Sequence, residues 1–214
     1  MKLWLQRHAP VLCAPGLCYG ATDLQADPAA TQAAAAQMAR VLPAGVRLWT
    51  SPLARCVQLA RAIEVLRPDV QSWSDSRLAE MDFGAWEGQR WSAIPQSEMD
   101  AWMADFADYR TGGHRVGGHR TGGHRVGGHR TGGHGIGRHG ESTRGFMERV
   151  QAAWDDWRRS GADAGWITHA GVMRAIERIA SGQGVPAQPG DWPSAPIAFG
   201  AWRCVELDRA ADGR

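Results

Sequence analysis

The chain has 214 residues, 43% of them hydrophobic, and its formal net charge is +2. This length and apolar content can bury one full core, so the sequence predicts a single domain over residues 1–214. A charge so close to zero does not indicate a nucleic-acid partner, and no apolar run approaches the roughly 20 residues that a membrane span needs. We therefore expect neither nucleic acid nor membrane among the partners.

Cysteine usage and the N-terminus predict a cytoplasmic location. The four cysteines show no CxxC spacing, which is more typical of thiols in a reducing compartment than of a disulfide framework. Only Lys2 precedes the first short apolar run, so the pattern of a secretory signal is not recognised.

The apolar patterning predicts strands that alternate with helices. The predicted strands are 2–6, 46–50, 70–73, 166–168 and 201–207. The predicted helices are 28–42, 52–66, 98–109, 143–157 and 171–181. Asp27 is an N-cap candidate for the first helix, and residues 78–88 are predicted to form an ordered loop. This alternation is typical of an α/β fold with a mainly parallel sheet that helices cover on both faces.

A repeat interrupts this order at about residues 110–139. The sequence RTGGHRVGGH occurs twice, RTGGHGIGRH follows, and six histidines recur every five residues. A stretch so rich in glycine and without apolar periodicity cannot offset the entropy lost on ordering, so the sequence predicts a mobile accessory loop. Three interpretations stay open: an expanded surface loop, metal capture by the histidines, and contact with a polyanion through the arginines.

Two predicted strands end in a histidine. Arg7 and His8 follow the first strand, and His169 follows the strand 166–168. The carboxyl ends of parallel strands meet at one edge of a sheet, which is where ligands bind in open α/β sheets. A lone strand-end histidine is more often structural, but two at one edge indicate a site.

The residue types around this edge suit phosphoryl transfer. A phosphoryl group carries about two negative charges and needs cationic or N–H donors around its oxygens. Arg7, Arg55 and His169 can supply such donors. A neutral His8 has a nitrogen lone pair that can attack phosphorus.

The leaving oxygen then needs a proton, and the loop 78–88 offers several carboxyl groups for that task. Glu80 and Asp82 are both candidates, and Glu87 lies close to them in the sequence. The scheme requires no metal and no cofactor. Trp86 and Trp102 lie in segments that could form the wall of a pocket.

Five segments together resemble, in chain order, the motifs of the histidine phosphatase superfamily, which includes the phosphoglycerate mutases and the α-ribazole phosphatases of cobalamin synthesis. They are Arg7-His8-Ala9, Ser51-Pro52-Leu53-Ala54-Arg55, Leu78-Ala79-Glu80 with Phe83 to Gly88, Gly140-Glu141-Ser142, and His169-Ala170-Gly171. The resemblance spans about residues 1–207 and is broken only by the repeat.

The resemblance implies a three-layer α/β/α sandwich in which His8 is the phosphorylated nucleophile. It further implies that Arg7, Arg55 and His169 bind the transferred phosphoryl group, and that Glu80 is the proton donor. The segment 16–23 is similar to the α-ribazole phosphatase branch, which implies substrate contacts by Tyr19 and Gly20.

We therefore expect a phosphomonoesterase that hydrolyses a small phosphorylated metabolite, with α-ribazole phosphate as a candidate. A phosphoglycerate mutase-like phosphotransferase is one alternative, but no extra basic insertion that would retain a second phosphate is found. A metal-binding or polyanion-binding protein that uses the repeat is the alternative from another class. The oligomeric state stays open.

Deleting residues 115–134 is expected to leave folding and turnover nearly unchanged, because this segment has no apolar face to bury. Closing a shorter loop should raise the stability slightly, by on the order of 1 kcal/mol. The thermal midpoint, the hydrolysis of a chromogenic phosphomonoester and nickel retention of the untagged chain check this, and retention should be lost. A collapse of stability, or turnover that depends on metal held by the repeat, would contradict the accessory role.

Overall fold

The computed structural model describes residues 1–112 and 139–208. The strands within these ranges are β1 (Lys2–Arg7), β2 (Arg47–Thr50), β3 (Gln71–Ser74), β4 (Ala164–Thr168) and β5 (Trp202–Glu206). The α-helices are α1 (Pro28–Val41), α2 (Ala54–Leu66), α3 (Gln96–Ala104), α4 (Thr143–Ser160) and α5 (Ala170–Ala180). The predicted loop 78–88 is ordered and includes a 3-10 turn at Gly84–Trp86.

The strands form one sheet in the order β3-β2-β4-β1-β5. All neighbours are parallel except β5, which pairs antiparallel with β1 at the sheet edge. Two apolar cores flank the sheet, one with α1 and α2 and the other with α4 and α5. The predicted α/β fold with helices on both faces of a mainly parallel sheet is therefore confirmed.

Side chains of β1 alternate between these two cores. Leu3 and Leu5 pack with α4 and α5, whereas Trp4 packs with α1 and α2. Successive side chains of a strand point to opposite faces, so an almost continuous apolar run marks a strand that is covered on both sides. This explains why the first strand could be predicted from its sequence.

Helix α1 begins as predicted. The Asp27 carboxylate accepts a hydrogen bond from the Ala30 N–H at 2.7 Å, and Pro28 occupies the first turn. Helix α2 begins two residues later than predicted, because Leu53 is still in an extended conformation. Its cap comes from another segment, since the Asp23 carboxylate accepts from the Ala54 N–H at 2.6 Å.

The prediction for α3 is wrong at its C-terminal end, where a helix to Tyr109 was expected. The helix ends at Ala104, and Asp105 leaves the helical conformation. The Tyr109 N–H then closes a separate turn on the Asp105 carbonyl at 2.8 Å. Aspartate is a poor helix former because its side chain competes for the backbone, and two aspartates, Asp105 and Asp108, occupy this turn.

Residues 113–138, which hold most of the Gly/His/Arg repeat and of the predicted mobile loop, lie outside the described residues. Across the described ranges, no helix combines the length and the apolar character needed to cross a membrane.

Candidate active site

The two strand-end histidines meet because β1 and β4 are parallel neighbours. Arg7 pairs with Thr168 in the register, so His8 and His169 are the next residues on the two strands. Their ring centroids lie 5.1 Å apart in an edge-on arrangement. Both residues are buried. The carboxyl edge of the sheet thus brings together the histidines that the sequence placed there.

The His8 ring is held in one tautomer by its own neighbour. Its Nδ1 lies 2.7 Å from the Ala9 carbonyl oxygen, which can only accept, so Nδ1 carries the proton and donates. Nε2 therefore keeps its lone pair. Burial lowers the pKa of His8 to about 3, and the charges of Arg55 and Arg7 add to this effect. His8 is thus neutral over the physiological range.

His169 has the opposite tautomer. The Arg55 Nε–H donates to its Nδ1 at 3.3 Å, so Nε2 carries the proton and donates to the Ser51 hydroxyl at 2.8 Å. Burial holds the pKa of His169 well below 6.5, and the charge of Arg55 lowers it further. Both histidines are therefore neutral, with the proton on Nδ1 in His8 and on Nε2 in His169.

Arg55 is fully buried at the start of α2. Besides His169, its guanidinium donates to the carbonyl oxygens of Thr22 at 2.8 Å and Gly20 at 2.6 Å. Within the described part of the chain, no carboxylate forms an ion pair with Arg55. Because three of its five N–H groups donate to neutral acceptors, two remain for an anion.

The loop that receives Arg55 is itself fixed by Glu87. This carboxylate accepts hydrogen bonds from the backbone N–H groups of Gly20, Ala21, Thr22 and Phe83 at 2.9 to 3.0 Å. Burial alone would raise the pKa of Glu87, but hydrogen bonds from the Thr22 hydroxyl and these N–H groups lower it. Glu87 is thus an ionised structural carboxylate.

Gly20 is required by close packing. A Cβ atom there would lie 1.8 Å from the Met81 carbonyl oxygen. The Gly20 N–H donates to Glu87 and the Gly20 carbonyl oxygen accepts from Arg55. Gly20 therefore contributes to the site through its backbone groups.

Arg7 is the last residue of β1 and directly precedes His8. Its guanidinium carbon stacks 3.7 Å from the Phe199 ring centroid, and Nη1 donates to the Ile197 carbonyl. Burial lowers the pKa of Arg7. No described residue accepts a hydrogen bond from its buried Nε.

Glu80 is held at the first turn of α5. Its carboxylate accepts from the Gly171 N–H at 3.0 Å, where the helix dipole favours negative charge. A Cβ atom on residue 171 would lie 2.1 Å from Glu80 Oε1, so glycine is needed for this approach.

The backbone of the Glu80 segment is held by Arg149 of α4. Its guanidinium donates to the carbonyl oxygens of Arg77, Ala79 and Glu80 at 2.7 to 2.9 Å, and it pairs with Glu141 at 2.7 Å. The Asp82 carboxylate accepts from the Gly84 N–H at 2.8 Å instead. The structure thus separates Glu80 from the other carboxylates of this loop.

A cavity of about 310 Å³, called the catalytic cavity below, joins these side chains. It is lined by Arg7, His8, Leu17, Tyr19, Arg55, Glu80, Trp91, His169 and Arg174. Among the predicted residues, Tyr19 lies in the lining and Gly20 does not. Three arginines and one carboxylate give the cavity an excess of positive charge, which suits a dianionic ligand.

Sequence reasoning missed Arg174, Trp91 and Ser51 as parts of the site. Arg174 lies one helical turn beyond Gly171 on α5, and this spacing would have indicated the same face of the helix. Trp91 and Ser51 follow only from tertiary packing. Of the two tryptophans expected at a pocket wall, Trp86 is buried in an aromatic cluster and does not line the catalytic cavity.

The described residues contain no group of three or more His, Cys, Asp or Glu side chains that could hold a metal ion. The repeat histidines up to His134, on which the predicted alternative of metal capture depends, lie outside these residues.

The chain is similar to known proteins in both sequence and fold. Residues 3–122 match the profile of the histidine phosphatase superfamily (branch 1). A solved structure of a phosphoglycerate mutase from Thermus thermophilus is 26% identical, with a TM-score of 0.62 over 98% of this chain and 95% of that one. A search of curated proteins gave no match.

A mycobacterial glucosyl-3-phosphoglycerate phosphatase shares the fold, with a TM-score of 0.70, 18% identity, and coverage of 95% of this chain and 88% of that one. The match to the family profile covers more than half of the 214 residues. The chain therefore belongs to the histidine phosphatase superfamily.

Proposed function

We propose that the protein is a phosphomonoesterase that works through a phosphohistidine at His8. The observation that carries this proposal is the hydrogen bond from His8 Nδ1–H to the Ala9 carbonyl, which leaves a neutral Nε2 lone pair in a cavity lined by arginines. A neutral, oriented imidazole beside cationic donors has what nucleophilic attack on a phosphate dianion requires.

In the first step, His8 Nε2 forms a bond to phosphorus as the ester P–O bond breaks. Arg7 and Arg55 donate to the phosphoryl oxygens, and Glu80 gives a proton to the leaving oxygen. The imidazole ring gains positive charge in this step, and the Ala9 carbonyl stabilises it because that oxygen accepts from Nδ1–H.

In the second step, Glu80 takes a proton from water as the water oxygen attacks phosphorus. The P–N bond breaks, inorganic phosphate leaves, and His8 regains its Nε2 lone pair. Glu80 thus acts first as acid and then as base.

His169 contributes once an anion is bound. Its Nδ1 accepts from Arg55 in the unliganded site, so it donates to a phosphoryl oxygen only after Nδ1 gains a proton. Burial lowers the pKa of His169 and the arginine charges lower it further. A bound dianion opposes those charges and so favours this protonation. The Ser51 hydroxyl continues to accept from Nε2–H, which donates in both protonation states.

α-Ribazole phosphate is the candidate substrate, because the segment 16–23 resembles that branch and Tyr19 lines the catalytic cavity. The alternative is a phosphoglycerate mutase, favoured by the likeness to the Thermus thermophilus structure. Phosphate release from α-ribazole phosphate, measured beside the interconversion of phosphoglycerates, decides between them.

Replacing His8 by alanine should abolish turnover, because no other described residue offers a nitrogen lone pair at this position. Brief incubation of the wild type with a ³²P-labelled phosphomonoester should give acid-labile labelling, and the variant should give none. Circular dichroism checks that the fold is kept. Appreciable turnover by a folded His8→Ala protein would exclude the covalent route.

Glu80→Gln should lower the turnover of alkyl phosphates by about 10²-fold or more, because a poor leaving group depends on its proton. Nitrophenyl phosphate, whose leaving group is stable as an anion, should lose far less. Asp82→Asn is the matched control, and its turnover should stay close to wild type. A uniform loss across leaving groups would argue against Glu80 as the acid.

Gly171→Ala tests the position of Glu80 without removing its carboxyl group. The added Cβ would displace the Glu80 carboxylate, whereas alanine in place of glycine in a helix favours stability by up to about 1 kcal/mol. Turnover of alkyl phosphates should therefore fall while the thermal midpoint is maintained.

The buried neutral histidine should make the protein sensitive to acid. The unfolded chain protonates His8 near pH 6.5, whereas the folded protein does so only near pH 3. This contribution to stability is complete above pH 6.5 and is lost progressively as the pH falls towards 3, by about 1.4 kcal/mol per pH unit. Urea titrations at several pH values across this window give the free energy of unfolding as a function of pH. In His8→Gln this free energy should depend less steeply on pH than in the wild type, by the equivalent of about one bound proton. Identical slopes would refute the burial argument.

A further inference from the structure

Phe199 contacts both Arg7 and His8, the two residues at the end of β1 that the proposed mechanism uses. The Arg7 guanidinium carbon lies 3.7 Å from the centroid of the Phe199 ring, and the centroid of the His8 ring lies 5.5 Å from it. Phe199 does not line the catalytic cavity. It therefore contacts groups that would act on a phosphomonoester, and not the space in which that substrate would lie.

Core packing does not explain this side chain. Phe199 is 40% exposed, and it belongs to none of the three apolar clusters that the described residues form. A phenylalanine that contributes to the core does so by burying its ring. Single exposed aromatic residues are ordinary, but the face of this ring covers a guanidinium, and that contact distinguishes its position.

The backbone next to Phe199 is fixed to the end of β1. The Arg7 N–H donates to the Ala201 carbonyl at 3.0 Å, and the Gly200 N–H donates to the His8 carbonyl at 3.1 Å. These two hydrogen bonds join consecutive residues of the two segments. They therefore hold the Phe199 ring against Arg7 although the ring itself lies outside the core.

The ring contacts the face of the Arg7 guanidinium, whereas hydrogen bonds use its edge. Nη1 donates to the Ile197 carbonyl, so the segment of Phe199 fixes both the edge and the face. The N–H groups of a guanidinium lie in its plane, so a ring on the face takes none of them. A carboxylate would also fix the plane, but it would accept from those N–H groups and oppose the charge that attracts a phosphate.

We propose that Phe199 is a positioning residue, whose ring holds the Arg7 guanidinium in the plane from which its free N–H groups donate to the phosphoryl oxygens. This inference rests on the proposed phosphatase function, in which Arg7 binds the transferred group. A guanidinium that rotates freely has to be ordered when the anion binds, and that ordering weakens binding. Stacking on Phe199 provides the order beforehand.

A series of fluorinated rings at position 199 tests this contact at nearly constant shape. Fluorine withdraws electron density, so mono-, di- and trifluorophenylalanine weaken the negative ring face stepwise. Each step should lower kcat/KM for nitrophenyl phosphate, to a total of roughly 2- to 30-fold, which corresponds to about 0.5 to 2 kcal/mol. A ring that only fills space would give a flat series, and that result would overturn the proposal.

Fluorination of Phe106 is the matched control. Its ring contacts Trp102 and Trp192, and no described arginine lies over it. Orthovanadate is the probe, because it resembles the transferred phosphoryl group and has no organic group that could reach other rings. Its calorimetric affinity should fall along the Phe199 series and stay constant along the Phe106 series. Equal slopes at the two positions would show a general effect of fluorine and would also overturn the proposal.

Two ordinary substitutions separate the ring face from apolar bulk. Phe199→Leu keeps an apolar side chain without a ring, and its loss of vanadate affinity should be at least that of the trifluorinated ring. Phe199→Tyr keeps the ring and should keep the affinity. The thermal midpoints should stay close to that of the wild type, because Phe199 lies outside the apolar clusters. Full affinity in a folded Phe199→Leu protein would contradict the positioning role.

Vanadate binding separates this inference from the proposed function because it needs no turnover. Affinity that falls along the Phe199 series, in a protein that hydrolyses no phosphomonoester, would support the positioning of Arg7 for an oxyanion and reject the phosphatase. Hydrolysis with a flat Phe199 series would do the reverse. Absence of both hydrolysis and vanadate binding would reject both.

Discussion

Arg55 carries a full positive charge at a position without solvent exposure, and the acceptors of its donated hydrogen bonds are neutral. Burying a charge without an opposite charge is costly, and carbonyl dipoles offset only part of that cost. Burial lowers the pKa values of His8 and His169, and the charge of Arg55 lowers them further. Burial with this charge therefore keeps His8 neutral, and Arg55 keeps two N–H groups for an anion, which is what the proposed attack on a phosphate requires.

The surrounding loops hold that cation in place with charges of their own. Glu87 accepts hydrogen bonds from the N–H groups of residues 20–22, and the carbonyl oxygens of Gly20 and Thr22 accept hydrogen bonds from Arg55. Near Glu80, the Arg149 guanidinium donates to carbonyl oxygens of residues 77–80 and pairs with Glu141. In each case a charged side chain is satisfied by several backbone groups of one loop, which fixes the loop more firmly than a single ion pair would. Glu87 and Glu141 thus have structural roles beside the site. Glu87 fixes the loop that binds Arg55, and Glu141 pairs with the arginine that binds the Glu80 segment.

Much of the fold and the core of the site could be predicted from the sequence. The apolar run 3–5 is predicted to be a strand, and the parallel pairing of β1 with β4 brings Arg7, His8 and His169 to one edge of the sheet. The choice of Glu80 over Asp82 could not be made from residue types, because it depends on the Gly171 N–H, a contact 91 positions away in the chain. The roles of the phosphate-binding side chains stay predictions, since geometry places them together without a ligand. Trp102 was expected at a pocket wall, and it lines a cavity of about 380 Å³ that shares Glu80 and Arg174 with the catalytic cavity. The other rings of that cavity could not be predicted, because they come from separate segments and such a wall has no sequence period: Phe83, Phe106, Phe146 and Trp192.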